Sequence, residues 1–240
     1  MMLFEEVQKS NYCGGEQGRG LLLGREFASA VLRVAGIAAK HRRMGRRLPP
    51  PSSGPSLRKR STMGERRRRR MMMAYHEAAH AVLARRQGLA CAEIRMSGSV
   101  GALTASASYE SGEAVEAKIA GYEIDGAVAL AGPVANVRFS GRPSSFSDGA
   151  ESDLQIAQAA AGSIALLKSG QSLPGAGNEE LELPPDVLRQ ANDILAVILQ
   201  NCEALVDEHW AEIDRVAKVL MHRDLITASE LDQLIAETPS

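Results

Sequence analysis

Residues 71–88 read MMMAYHEAAHAVLARRQG, and the rest of the chain is best read outward from them. Alanine, leucine, methionine and arginine are strong helix formers, and Gly88 stands where a helix closes in the left-handed conformation. Inside that helix His76 and His80 are four residues apart, so their side chains lie one above the other on one face. Two imidazoles in that relation can grip one Zn²⁺, and Glu77, one position along, can take a proton from a water on the metal. Zinc brings the pKa of that water down towards about 7, which makes hydroxide available near neutrality. Ala78, Ala79 and Ala81 leave room for a neighbouring element, while Val82 and Leu83 can anchor the helix in a core. The competing reading is two histidines on an ordinary helix with no metal.

Zinc usually needs a third protein ligand. The extended HExxHxxGxxH pattern fails, because Leu83 stands at the glycine position and Arg86 at the third histidine. The later histidines, His209 and His222, fall among charges in or at the end of a long helical stretch and read as solvated. Glu110, Glu113, Glu116 and Glu123 read as polar helix faces. An acidic cluster remains, Asp148, Glu151 and Asp153, after a Gly/Ser loop and at a helix start. Spacing alone does not rank these three.

The chain has 240 residues, 45% hydrophobic and 4% aromatic, with a net charge of −1. That charge is a cancellation. Residues 1–70 hold 17 basic and 5 acidic side chains, and residues 71–240 hold 11 and 24. Within the basic part, LPPPSSGPSLRKRSTMGERRRRR (48–70) is a Pro/Ser linker ending in five arginines, a composition that repels itself. The expectation is a disordered basic segment over 1–70 followed by a mainly α domain over 71–240. Nucleic acid is an expected partner only through the Arg-rich segment. Three cysteines, Cys13, Cys91 and Cys202, are too few and scattered for a disulfide framework, which fits a cytoplasmic setting. No stretch approaches the roughly 20 apolar residues of a membrane span.

Beyond the histidine helix, residues 91–109 alternate loosely and suggest two short strands or a small β-ribbon. SGEAVEAKIAGYE (111–123) and DGAVALAGPVANVRF (125–139) read as two helices, the second kinked or started by Pro133. ESDLQIAQAAAGSIALL (151–167) reads as another. A long helix is expected from about Asp186 to Met221, and Thr227-Ala228-Ser229-Glu230 is a capping box opening a last short one. Trp210 reads as a core anchor, and Cys91 and Cys202 as small buried residues.

In order along the chain, AYHEAAHAV (74–82), LAGPVANVRFSG (130–141), DGAESDLQIAQAA (148–160) and HWAEIDRVAKVLMHRDLITASELDQLI (209–235) resemble the peptidase domain of the FtsH-type ATP-dependent zinc metalloproteases, peptidase family M41. The resemblance covers nearly all of 71–240. It implies a helical zinc-peptidase domain in which His76, His80 and Asp153 hold the zinc and Glu77 is the catalytic base. Ala79 and the pair Pro133 and Asn136 depart from the family pattern, which has glycine at the first and a more polar helix surface at the others. No GxxxxGK[ST] phosphate loop, ATPase module or membrane anchor is present in these 240 residues. The expected activity is therefore a zinc-dependent metalloendopeptidase acting on unstructured protein segments without an ATPase of its own. Its expected partners are a protein or peptide substrate, an ATPase in trans and further copies of the chain. A catalytically silent peptidase-like adaptor is the alternative.

Overall fold

The computed structural model describes residues 63–91, 93–96, 114–141, 150–173 and 183–236. Six helices and one two-stranded sheet occupy them: α1 (Met63–Arg86), β1 (Glu93–Arg95), α2 (Val115–Ser140), α3 (Ala150–Lys168), α4 (Pro185–Glu208), α5 (Trp210–Leu220), β2 (Leu225–Thr227) and α6 (Ala228–Ala236). The described part is mainly α, as composition and periodicity suggest.

At the centre lies α2, packed against α1, α3 and α4. Its neighbours come close because the facing residues are small. Ala78, Ala79 and Ala81 of α1, Ala131 and Ala135 of α2, and Ala157 and Ala161 of α3 are all fully buried. Small side chains let helix axes approach at the short end of the usual range of about 8–10 Å. Larger residues complete the core: Leu83, Leu130, Ile164, Ile213 and Leu220 are almost wholly removed from water.

Reading 111–139 as two helices is corrected: α2 runs unbroken through Asp125-Gly126 and through Pro133. The glycine is not a break but a contact. A Cβ on Gly126 would lie 3.2 Å from Ile198 and 3.5 Å from Ala160, so its bare backbone is what lets α3 and α4 approach. Packing on three sides holds the helix through the hydrogen bond that Pro133 cannot make.

The single long helix expected over 186–221 is two. His209, at φ −97° and ψ 16°, separates α4 from α5. Helical hydrogen bonds continue across the joint, from His209 N–H to Leu205 and from Ile213 N–H to His209, which explains why the apolar period survives in sequence. The change of direction sends α4 against α3 and α2, and α5 against α1. His209 itself is not solvated. It is 15% exposed at the joint, with Nδ1 3.5 Å from Glu212. His222 is exposed as expected.

The boundary expected at residue 70 falls inside α1. Residues 63–70, expected to be disordered, form its first turns, while residues 1–62 lie outside the described part. Arginine is itself a good helix former, and Arg70 is anchored at the far end of the domain. Its guanidinium donates to the carbonyls of Met221 (3.2 Å) and Leu220 (3.4 Å) at the end of α5, and to Asp224 at 2.8 Å. A cation on the last carbonyls of a helix is where the helix dipole favours it.

One strand of the sheet, β1, falls within the expected 91–109, and it runs antiparallel to β2, with Ile94 opposite Ile226 and both buried. Residues 97–109, the remainder of the expected ribbon, lie outside the described part. The capping box is formed: Thr227 N–H donates to Glu230 Oε2 at 3.0 Å, and Glu230 N–H to Thr227 Oγ1 at 3.4 Å. Gly88, at φ +77°, ends α1 in the left-handed region, with Leu89 N–H bonded to the Ala84 carbonyl at 2.8 Å. Cys91 and Cys202 are free and buried.

Next to this core, Asp125 is half-buried and its Oδ1 has no hydrogen-bond partner. Burial pushes its pKa up from 3.8 to about 6. A carboxyl whose folded pKa exceeds its unfolded value favours the fold while protonated and loses that advantage as pH rises through the folded pKa. The stability gained by Asp125→Asn over wild type should therefore widen between about pH 4 and pH 7. Urea unfolding of both proteins across that range measures it, and a pH-independent difference would contradict the assignment.

Candidate metal centre

Three elements meet at the histidine helix. His76 and His80 project from one face of α1 towards α2, and Asp153 reaches them from the first turn of α3. An acid in the first turn of a helix is favoured by the helix dipole, which suits Asp153 to that position. His80 Nε2 lies 3.1 Å from His76 Nε2. Asp153 Oδ2 is 3.1 Å from His76 Nε2 and 3.5 Å from His80 Nε2. The three side chains are between 10% and 15% exposed, so the cluster is largely withdrawn from bulk water.

Two features orient it. His80 Nδ1 is 2.7 Å from the buried carbonyl of Val128, which accepts the Nδ1–H and so leaves the Nε2 lone pair facing Asp153. The second is Gly132, one turn further along α2. A Cβ there would sit 2.5 Å from His80 Nε2 and 2.6 Å from both Cε1 and Nδ1 of His76. No side chain fits, and the α2 backbone forms the wall against which both imidazoles rest.

Electrostatically the cluster is built to hold positive charge. Burial pushes the Asp153 carboxyl up, but the facing imidazoles outweigh it and hold the pKa down at about 2. Burial pushes His80 down, and Asp153, Glu77 and the Val128 carbonyl together more than reverse this, raising the ring above its ordinary value. Asp153 Oδ2 is buried without a well-aligned hydrogen bond to either ring. Two ring nitrogens and a carboxylate oxygen that converge in this way can be satisfied by a proton or by a cation. His76, His80 and Asp153 could together hold a metal ion.

Glu77 lies beside this group, half-buried. Burial raises its pKa, the nearby His80 and His76 pull it back in part, and Asp153 adds to the rise. Of the other acids weighed as a third ligand, Glu151 is exposed in the first turn of α3 and does not join the cluster. Asp148, Glu110 and Glu113 lie outside the described residues, and Glu116 and Glu123 are exposed on α2. The acid that the family resemblance implies is the one placed against the histidines.

Sequence reasoning named the donors and missed their surroundings. Val128, Gly132 and Asn136 recur every four residues and so share the face of α2 turned to α1. The signal was present: a glycine and an asparagine at that spacing within LAGPVANV.

A second cluster fixes the angle of α1. Tyr75, the residue before His76, stacks between Phe139 of α2 (4.3 Å between ring centroids) and Trp210 of α5 (5.3 Å). The Arg138 guanidinium lies 4.5 Å from the centre of the Trp210 ring. Tyr75 donates to Asp214 at 2.5 Å, and burial followed by Asp214 pushes the phenol pKa well up. Hydrogen bonds to a charged partner contribute about 1.5–3 kcal/mol. Trp210 is thus an inter-helix anchor, though only partly buried.

Comparison with models of known protein families and with curated protein sequences finds no match to this chain.

Gly132→Ala tests the wall directly. Alanine favours a helix over glycine by about 1 kcal/mol, so the change does not weaken α2 through propensity. Its methyl group should instead displace both rings and weaken metal binding by roughly 10- to 100-fold in a chelator competition. Wild-type affinity in that variant would show that the rings do not depend on the close approach of α2.

Proposed function

We propose that the chain is a zinc-dependent metalloendopeptidase that hydrolyses peptide bonds of unstructured protein segments. The observation that carries this reading is the convergence of His76, His80 and Asp153 at 3.1–3.5 Å beside Glu77. Donors at the usual zinc distances of about 2.0–2.1 Å in a tetrahedron are separated by about 3.4 Å, close to the observed spacing. Two imidazoles and one carboxylate also form the donor set of a site that keeps a fourth position for water or substrate. The segments that resemble the FtsH-type peptidases support the same assignment, Asp153 included.

When bound, zinc would act as a Lewis acid that acidifies a water molecule and polarises a peptide carbonyl. The remaining work falls to the chain. The Val128 carbonyl keeps His80 in the tautomer whose unprotonated Nε2 can offer its lone pair to a metal. Gly132 keeps the two rings in contact with α2. Glu77 is the general base: its carboxylate takes the proton from the attacking water and later delivers it to the leaving amine. Partial burial, which raises its pKa, suits a group that must accept and then release a proton.

Substrates would be extended segments, because a peptide carbonyl must be freed from folded structure to reach side chains that are only 10–15% exposed. An ATPase acting in trans would extend the range to folded proteins, and homo-oligomers would suit the resemblance. The cysteine content supports a cytoplasmic setting. No helix among the described residues is long and apolar enough to cross a membrane.

Wild-type protein should contain close to one zinc per chain and cleave casein, and chelation should abolish cleavage. Glu77→Gln should keep the zinc and lose activity by about 10²–10⁴-fold. Asp153→Ala should lose both. Zinc bound by a wild type that cleaves nothing would favour the adaptor alternative, and absence of zinc would reject both.

A further inference from the structure

We propose that Asn136 is a positioning residue for His76, its side-chain carbonyl accepting a hydrogen bond from the ring Nδ1–H. The inference rests on the metal-site reading above and adds a residue that nothing in that reading assigned.

Asn136 follows Gly132 by one turn on the face of α2 that meets α1. Its Nδ2 lies 3.3 Å from His76 Nδ1, while its Oδ1 is buried without a partner. The two ends of an amide have nearly the same shape, and a half-turn about the last side-chain bond exchanges them. With the amino group towards the ring, Nδ1 accepts, the ring proton sits on Nε2, and that nitrogen has no lone pair to offer a metal. With the carbonyl towards the ring, Oδ1 accepts from Nδ1–H. The buried oxygen is then satisfied, and the Nε2 lone pair faces the Nε2 of His80 and Oδ2 of Asp153, each 3.1 Å away.

The result parallels His80, whose Nδ1 is 2.7 Å from the Val128 carbonyl. Each imidazole then has an oxygen of α2 behind it, one from the backbone and one from a side chain. The His76 partner is neutral, so it fixes the tautomer without placing a second negative charge next to Asp153.

Three proteins decide the matter: wild type, Asn136→Leu and Asn136→Asp. Leucine keeps the branched heavy-atom shape and removes the acceptor, whereas aspartate keeps an acceptor oxygen. Zinc affinity by chelator competition should fall roughly 10- to 100-fold in the leucine variant and be at least wild-type in the aspartate variant. In ¹H–¹⁵N spectra of zinc-loaded protein, the His76 Nδ1–H should be protected from exchange in wild type and Asn136→Asp, and exposed in Asn136→Leu. Thermal unfolding of the zinc-free proteins separates positioning from packing. Equal Tm values for wild type and Asn136→Leu are expected, and a Tm loss that accounts for the affinity loss would overturn the proposal. Wild-type affinity in Asn136→Leu, or equal weakening in both variants, would also overturn it. A wild type that binds no zinc would overturn the metal-site reading, and this inference with it.

Discussion

Two imidazoles one helical turn apart will face a common point only if something holds both rings against rotation. Here that constraint is the close approach of the α2 backbone at Gly132, which leaves no room for even a methyl group beside His76 and His80. The approach depends in turn on alanines along the α1–α2 and α2–α3 interfaces, several of them fully buried. The small residues therefore do more than fill a core. They set how far apart three helices lie, and so whether a carboxylate on α3 can touch histidines on α1.

A dense polar cluster inside such a core is costly unless its charges are matched. Asp153 and His80 match one another, which is why burial fails to neutralise the carboxyl. The same mutual demand makes the cluster a competitor for cations. Proton and metal ion would occupy the same place, so metal uptake should displace protons and weaken in acid. Asp125, on α2 and with burial as the only cause of its shift, shows the other outcome: its pKa rises to about 6.

The histidines and the capping box were legible because their signals are local. His76 and His80 lie on one helix at a fixed spacing, and Thr227 and Glu230 bond to each other. Asp153 could not be separated from its rivals by spacing, since the distance that matters crosses from α3 to α1. Only the resemblance to known peptidases favoured it. The pairing of β1 with β2 was illegible for the same reason, its strands lying at opposite ends of the domain. Pro133 suggested a break that packing overrides, and His209 concealed a real one because the apolar period and the hydrogen bonds pass through it.

The groups that clamp α1 come from the other end of the chain. Tyr75 is held by Trp210 and Asp214, Arg70 by the carbonyls of Leu220 and Met221, Arg85 by Asp232 and Arg86 by Glu212. During synthesis, all three donor residues have left the ribosome's decoding centre by residue 153, yet the parts that fix their helix are still to be translated. Donor set and clamp are thus completed at different times. A nascent or prematurely terminated chain carries the histidines and the aspartate with α1 held, among the helices, by α2 alone, and the remaining clamps arrive only with the last helices.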